Sequence, residues 1–128
     1  MARVKLLSEE HVTGTVKEIY EDIKRTFGLP FVPNLFKAMA VHPAYLRTTW
    51  DRFKVIMGPG KLDPKTKEFL ALAVSTVNNC EYCINAHTAQ LRRMGVSEEE
   101  LVEGLAVVDL FCGINKFLDG LRVESDLK

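Results

Sequence analysis

The sequence has no excess of charge of either sign. Seventeen Lys and Arg residues balance seventeen Asp and Glu residues, so the formal net charge is zero. A protein without a net positive field has little means of collecting the phosphates of DNA or RNA. We therefore expect no nucleic acid partner.

Long apolar runs are also missing. No stretch approaches the roughly 20 apolar residues that cross a bilayer, and the N-terminal residues lack the apolar core of a secretory signal. We therefore expect a cytoplasmic protein with no membrane partner. The length of 128 residues is that of one ordinary domain, so a single domain over residues 1–128 is predicted.

The short alternating apolar and polar runs typical of strands are absent as well. Apolar residues instead recur three and four positions apart nearly throughout, which predicts an all-α fold, a compact bundle of about six to seven helices. Breaks at Gly, Pro and capping residues separate the predicted helices, which cover residues 8–27, 34–39, 43–57, 63–77, 80–95, 97–110 and 114–121.

Two of these helices begin with strong local signals. Asp63 is a candidate N-cap, and Pro64 suits the first helical position after it. Ser97 and Glu100 have the spacing of a capping box. The helix that follows Asp63 is apolar on most of its circumference, so we expect it at the centre of a bundle or between subunits.

Cysteine is scarce, with three residues in all. Three cysteines cannot form a scaffold of paired disulfides, but Cys80 and Cys83 form a CxxC motif, which in a reducing compartment is available for redox chemistry or for a metal. Cys112 lies in an apolar run and is expected to be a buried small hydrophobe.

His87 completes a column with the two cysteines, because residues three and four apart share one face of a helix. We expect Cys80 at the N-cap, where nonhelical dihedrals bring its sulfur over Cys83. The free N–H groups and the positive end of the helix dipole favour thiolate over thiol there. Cys83 is the candidate reactive thiolate.

Glu68 lies among apolar residues of the preceding helix, where a carboxylate is costly without a partner. Antiparallel packing across the Asn78-Asn79 turn would bring Glu68 to the depth of His87. The site would then suffice for a two-cysteine peroxidase or disulfide reductase. Cys83 would become a sulfenic acid, Cys80 would condense with it, and a small dithiol would reduce the disulfide.

The spacing of Glu68, Cys80, Cys83 and His87 resembles the E-x11-C-x2-C-x3-H pattern of the alkyl hydroperoxidase D-like proteins of the carboxymuconolactone decarboxylase superfamily. The similarity covers roughly half of the chain. It implies an all-helical fold, peroxidase or disulfide-reductase activity, and a trimer or a trimer-of-dimers hexamer. It also implies a peroxidatic second cysteine, a resolving first cysteine, and a proton relay formed by the glutamate and the histidine.

The best-known members of that family have a histidine where this chain has Tyr82. A phenol does not exchange its proton near neutral pH as an imidazole does, so a second interpretation makes the dithiol a sensor or electron carrier that oxidises once. A third interpretation makes the protein a noncatalytic oligomer whose cysteine pair binds zinc or merely packs.

Under the first interpretation, the peroxidase or disulfide reductase, the enzyme would need no cofactor. Its expected partners are a small hydroperoxide and a dithiol reductant of dihydrolipoyl or thioredoxin type.

Overall fold

The computed structural model describes residues 1–127, and within this range it contains helices and no strand. The predicted all-α class is confirmed. A 3₁₀ helix at Glu9–His11 precedes six α-helices: α1 Gly14–Phe27, α2 Asn34–Met39, α3 Pro43–Met57, α4 Pro64–Val77, α5 Glu81–Arg93 and α6 Glu98–Leu121.

Contacts between Cα atoms divide the chain into two compact units. The N-terminal unit is Met1–Gly58, with α1 to α3, and the C-terminal unit is Pro59–Lys128, with α4 to α6. The single domain expected over residues 1–128 stays a prediction. All four candidate site residues belong to the C-terminal unit.

An aromatic cluster forms the centre of the N-terminal unit. Trp50 is fully buried. It meets the rings of Phe27 and Phe36 edge-on, with centroids 5.4 Å away in both cases, and stacks on Phe53 at 5.6 Å. The smaller buried residues around this cluster are Ile19, Tyr20, Ile23, Val32, Ala40 and Leu46.

Hydrogen bonds tie polar side chains to this core. The Trp50 indole N–H donates to the Asp22 carboxylate at 2.8 Å, and the Lys54 ammonium donates to the same oxygen at 2.7 Å. The bond from Lys54, followed by that from Trp50, lowers the pKa of Asp22 to about 2. The Tyr20 hydroxyl donates to the Leu7 carbonyl at 2.8 Å, and burial raises the pKa of Tyr20 to about 12.

The prediction that the first helix begins at Ser8 is wrong. Glu9–His11 form a single 3₁₀ turn, the two residues after it are extended, and α1 begins at Gly14. Gly14 has a φ of +58°, which glycine adopts without steric cost. The Glu9 carboxylate accepts the N–H of Val32 at 3.1 Å, so this segment is held by distant backbone rather than by helix continuation.

In the C-terminal unit, α4 packs against α5 and α6. A Cβ atom at Gly104 would lie 2.6 Å from the Phe69 ring, so the absence of a side chain there lets α6 approach α4 closely. The buried apolar residues of this unit are Leu72, Leu91, Val96 and Leu101. On the other face of α4 the apolar residues Leu70, Val74 and Val77 are exposed.

Both predicted capping signals are confirmed in this unit. The Asp63 carboxylate accepts the N–H of Thr66 at 2.8 Å, with Pro64 in the first turn of α4. Ser97 and Glu100 form a reciprocal capping box at the start of α6. Local sequence therefore set these two helix starts correctly.

α6 is one helix of 24 residues, so the predicted break between 97–110 and 114–121 is wrong. Gly113 stays helical because one glycine costs only about 1 kcal/mol relative to alanine. The expectation of a buried Cys112 is also wrong, because Cys112 is exposed and no residue from Val102 to Leu127 is buried. Within residues 1–127 even this helix is not long and apolar enough to cross a membrane.

Candidate active site

The turn between α4 and α5 places Cys80 at the N-cap of α5. Asn79 has a φ of +56°, a left-handed conformation that asparagine adopts more readily than most residues. The Cys80 N–H donates to the Ser75 carbonyl at 3.0 Å. With φ −91° and ψ 90°, Cys80 has the nonhelical dihedrals that we predicted.

The turn at Asn78-Asn79 was predicted, but the left-handed conformation of Asn79 and the hydrogen bond from Cys80 to the Ser75 carbonyl were not. Asparagine tolerates positive φ, so the Asn78-Asn79 pair was an available signal for the left-handed residue before Cys80. Ser75 contributes its backbone carbonyl, and a backbone group leaves no mark on the side-chain pattern. The Ser75 hydroxyl itself donates to the Ala71 carbonyl at 2.7 Å within α4.

Cys80 and Cys83 are joined by a disulfide. Their Cα atoms are 5.3 Å apart, within the range that a disulfide requires. The Cys83 N–H donates to the Cys80 sulfur at 3.3 Å, so the sulfur occupies the capping position of α5. Both cysteines are partly exposed, which leaves the pair open to small molecules.

Glu68 and His87 meet between α4 and α5. The His87 Nδ1 lies 2.7 Å from Oε2 of Glu68, although nineteen positions separate them in the chain. Glu68 is only 8 % exposed, so the imidazole supplies the partner that a buried carboxylate needs. The predicted approach of these two side chains is confirmed.

The carboxylate also determines which nitrogen of His87 carries the proton. An oxygen acceptor at Nδ1 favours the tautomer with the proton on Nδ1 and leaves Nε2 as the basic atom. His87 lies four positions after Cys83 on α5, and residues with this spacing share a face. The arrangement combines a dithiol with a base that a carboxylate orients.

Tyr82, the residue between the two cysteines in the motif, is 46 % exposed at the start of α5. Its phenol lies at the position where the best-known members of the family that this sequence resembles have a second histidine.

Among residues 1–127, no group of three or more His, Cys, Asp and Glu side chains has an arrangement that could hold a metal ion.

Comparison with known structures supports the fold. The chain is similar to the crystal structure of the alkylhydroperoxidase AhpD core from Rhodospirillum rubrum, with a TM-score of 0.94 and 38% identity. The similarity covers 98% of this chain and 95% of that chain.

Curated proteins give a more varied set of relatives. The alkyl hydroperoxide reductase AhpD of Mycobacterium marinum is 37% identical over 67 residues, 52% of this chain and 37% of that protein. That of Solibacter usitatus is 34% identical over 92 residues, 71% and 50%. An (R)-2-haloacid dehalogenase of Pseudomonas putida is 28% identical over 106 residues, 83% and 35%. The chain thus spans about a third to a half of the length of these curated relatives.

A model of the carboxymuconolactone decarboxylase family matches residues 43–124, well over half of the chain and all of the candidate site. The structural similarity and the AhpD relatives point to the same branch of that family. The chain therefore belongs to the carboxymuconolactone decarboxylase family, as an alkyl hydroperoxidase D-like member.

Proposed function

We propose that the protein is a thiol-dependent peroxidase or disulfide reductase, with antioxidant activity, that uses the Cys80–Cys83 dithiol. One observation carries the proposal: a disulfide at the start of the helix whose His87 is hydrogen-bonded to the buried Glu68. The AhpD names of several relatives support peroxide as the oxidant, since those proteins are called alkyl hydroperoxide reductases.

Cys83 is the peroxidatic residue of the proposed cycle. Its thiolate attacks one oxygen of a small hydroperoxide, an S–O bond forms, the O–O bond breaks, and an alcohol or water leaves. His87 accepts the thiol proton at Nε2 and returns it to the leaving oxygen. Glu68 stabilises the transient imidazolium through Nδ1–H, as a carboxylate does in a catalytic triad.

Cys80 is the resolving residue. Its thiolate attacks the Cys83 sulfenic sulfur, the S–S bond forms, the S–O bond breaks, and the leaving hydroxide takes up the proton that the Cys80 thiol had released and becomes water. The positions of the two cysteines support this step, because their Cα atoms are 5.3 Å apart, within the range that a disulfide requires. A dithiol reductant of dihydrolipoyl or thioredoxin type then gives up two electrons and two protons, and the cysteine pair is reduced again.

The test is a single turnover with reduced protein and one equivalent of peroxide. We expect loss of two of the three thiols and one intramolecular disulfide. Cys83→Ser should lose this reaction, whereas Cys112→Ser, which removes the exposed cysteine of α6, should react like the parent. Peroxide consumption by Cys83→Ser at the parental rate would contradict the assignment.

Two further measurements, steady-state turnover with a dithiol donor and metal analysis of the purified protein, separate the alternatives. A protein that oxidises once and stalls in the presence of excess dithiol donor is a sensor or electron carrier. One zinc ion per chain, held after purification without chelator and lost in Cys80→Ala, would replace the redox assignment by a metal site. Sustained turnover with the donor supports the enzyme.

We also propose a homo-oligomer, a trimer or a trimer-of-dimers hexamer. Large apolar side chains are exposed along most of α6, which is unusual for a surface in contact with water. They include Val102, Val107, Leu110, Phe111, Phe117 and Leu121.

Light scattering at micromolar concentration tests this assembly. Phe117→Glu should lower the measured mass, whereas Lys116→Glu, a substitution at a neighbouring exposed position, should have little effect. A parent protein that is monomeric under these conditions would contradict the proposed oligomer.

The proposed cycle consumes reduced dithiol at each turnover. We therefore propose the cytoplasm as its location, because the cytoplasm keeps dithiols reduced. Recovery of the native protein only from an oxidising compartment after cell fractionation would contradict this placement.

A further inference from the structure

The two sulfurs of the disulfide have different surroundings. The Cys80 sulfur accepts the Cys83 N–H at 3.3 Å in the first turn of α5. The N–H groups of a first helical turn have no partner within the helix, so the bond to Cys80 satisfies one of them. The structure gives the Cys80 sulfur the place of a helix cap.

Backbone hydrogen bonds hold Cys80 in this position on both sides. Its N–H donates to the Ser75 carbonyl at 3.0 Å, and its carbonyl accepts the Ile84 N–H at 2.9 Å. Neither bond involves the sulfur. The backbone of Cys80 is therefore held at the N-cap by bonds that do not include the S–S bond.

We propose that Cys80 is the leaving thiolate when the disulfide is reduced, and that the reductant attacks the Cys83 sulfur. This rests on the proposed dithiol cycle. A sulfur that receives a helix N-terminal N–H is better stabilised as a thiolate, and the better stabilised thiolate leaves faster in exchange.

The electrons balance over two steps. The reductant thiolate forms an S–S bond with Cys83, the Cys80–Cys83 bond breaks, and its electron pair goes to Cys80. The second thiol of the reductant, as a thiolate, then attacks the reductant's own sulfur in the mixed disulfide and frees Cys83 as a thiolate. The reductant ends as a disulfide, and its two protons pass to solvent or to the two cysteines.

The two cysteines thus acquire their reactivity from different groups. The cap donor stabilises Cys80 as the leaving thiolate and, in the oxidative half, as the thiolate that attacks the sulfenic acid. The pair of His87 and Glu68 serves Cys83. Asn79 acts as a positioning residue, since its left-handed conformation directs the chain into the cap.

Trapping the mixed disulfide tests the direction of attack. Oxidised Cys112→Ser protein is exposed briefly to excess 2-mercaptoethanol, quenched in acid, alkylated with N-ethylmaleimide and mapped by mass spectrometry. A monothiol cannot complete the second step within its own mixed disulfide. We expect mercaptoethanol on Cys83 and maleimide on Cys80 in at least about tenfold excess over the reverse pattern. An even or reversed distribution would overturn the proposal.

Ultraviolet thiolate absorption provides a second measurement on reduced proteins that retain one cysteine. The thiolate signal of Cys80, measured in Cys83→Ser/Cys112→Ser, should be unchanged by His87→Gln. The thiolate signal of Cys83, measured in Cys80→Ser/Cys112→Ser, should fall when His87→Gln is added. Loss of the Cys80 signal with His87→Gln would overturn the separate role of the cap. Neither measurement uses peroxide, so an absence of peroxidase activity is distinguishable from a failure of this inference.

Discussion

The two units of the chain use polar side chains for different purposes. In Met1–Gly58, Asp22 binds the indole of Trp50 and the ammonium of Lys54 at the edge of an aromatic core. In Pro59–Lys128, the buried Glu68 on α4 is hydrogen-bonded to the partly buried His87 on α5, the helix that begins with the disulfide, and the buried core residues are aliphatic and few.

A buried polar group is costly unless it is partnered, so each such group needs a physical reason. The hydrogen bonds of Asp22 connect helix α1 with helix α3. Glu68 instead orients an imidazole that shares its helix with two cysteines. The Asp22 network thus stabilises the fold of the first unit, whereas Glu68 and His87 belong to the candidate site of the second.

Glu68→Gln tests this comparison with the largest expected effect. Glutamine keeps the shape and a hydrogen bond to His87 but cannot stabilise the imidazolium. We expect the rate of single-turnover peroxide consumption to fall about 10²–10⁴-fold, with a change in the free energy of unfolding of about 1 kcal/mol or less. Glu103→Gln, at an exposed carboxylate of α6, is the control and should leave both unchanged. An equal loss of activity in Glu68→Gln and Glu103→Gln would contradict a specific role for the Glu68 carboxylate.

Trp50→Ala tests the N-terminal unit. Truncation of a fully buried tryptophan leaves a cavity and removes one of the hydrogen bonds to the Asp22 carboxylate, so the free energy of unfolding should fall by about 3–5 kcal/mol. Urea denaturation measures it. Val55→Ala removes a side chain that is 77% exposed on the same helix and should stay within about 0.5 kcal/mol. A cost for Trp50→Ala no greater than that of Glu68→Gln would contradict the structural role of the first unit.

Gly104→Ala tests the packing of α6 on α4. The added methyl group would lie 2.6 Å from the Phe69 ring, which must move. We expect a net destabilisation of about 1–2 kcal/mol, because overpacking outweighs the gain in helix propensity. Gly113→Ala has open space on the same helix and should instead stabilise by about 0.5–1 kcal/mol. Equal effects at the two glycines in thermal denaturation would argue against close packing at Gly104.

Asp22→Asn gives the smallest expected effect and shows it through pH. The pKa of Asp22 is lowered to about 2 by the bonds from Lys54 and Trp50, so the carboxylate stabilises the folded protein above its unfolded pKa of about 4. This contribution is lost as pH falls through about 2. The variant should be less stable by about 1 kcal/mol at neutral pH, since the side chain is partly exposed. The difference should shrink below about pH 4 in urea titrations. A difference that does not depend on pH would contradict the charge-based explanation.

Features that depend on neighbouring residues were predictable. Helix class follows from the three- and four-residue spacing of apolar side chains, and the caps at Asp63 and Ser97 follow from side chains that bind N–H groups three positions later. The N-cap position of Cys80 followed from the distance that a CxxC pair must close. In each case the physical cause lies within one helical turn.

Three expectations were wrong, and two of them depend on residues outside the local sequence. The segment at Glu9 is held by the N–H of Val32, so local helix signals gave the wrong start for α1. The interruption expected before Ile114 failed because a single glycine is tolerated within a long helix. The exposure of Cys112 could not be inferred, since an apolar run does not reveal whether anything packs against it.

The sequence by itself determined an all-helical chain with a CxxC at a helix start, because hydrophobic periodicity and capping are local. The sequence pattern placed Glu68 near the depth of His87, but the burial of Glu68 and its hydrogen bond to His87 come from the tertiary structure, since that contact depends on how α4 and α5 pack after the Asn79 turn. The tertiary structure also brings the sulfur of Cys80 within hydrogen-bond distance of the Cys83 N–H, on a backbone held by the Cys80 N–H, which donates to the Ser75 carbonyl, and by the Cys80 carbonyl, which accepts the Ile84 N–H.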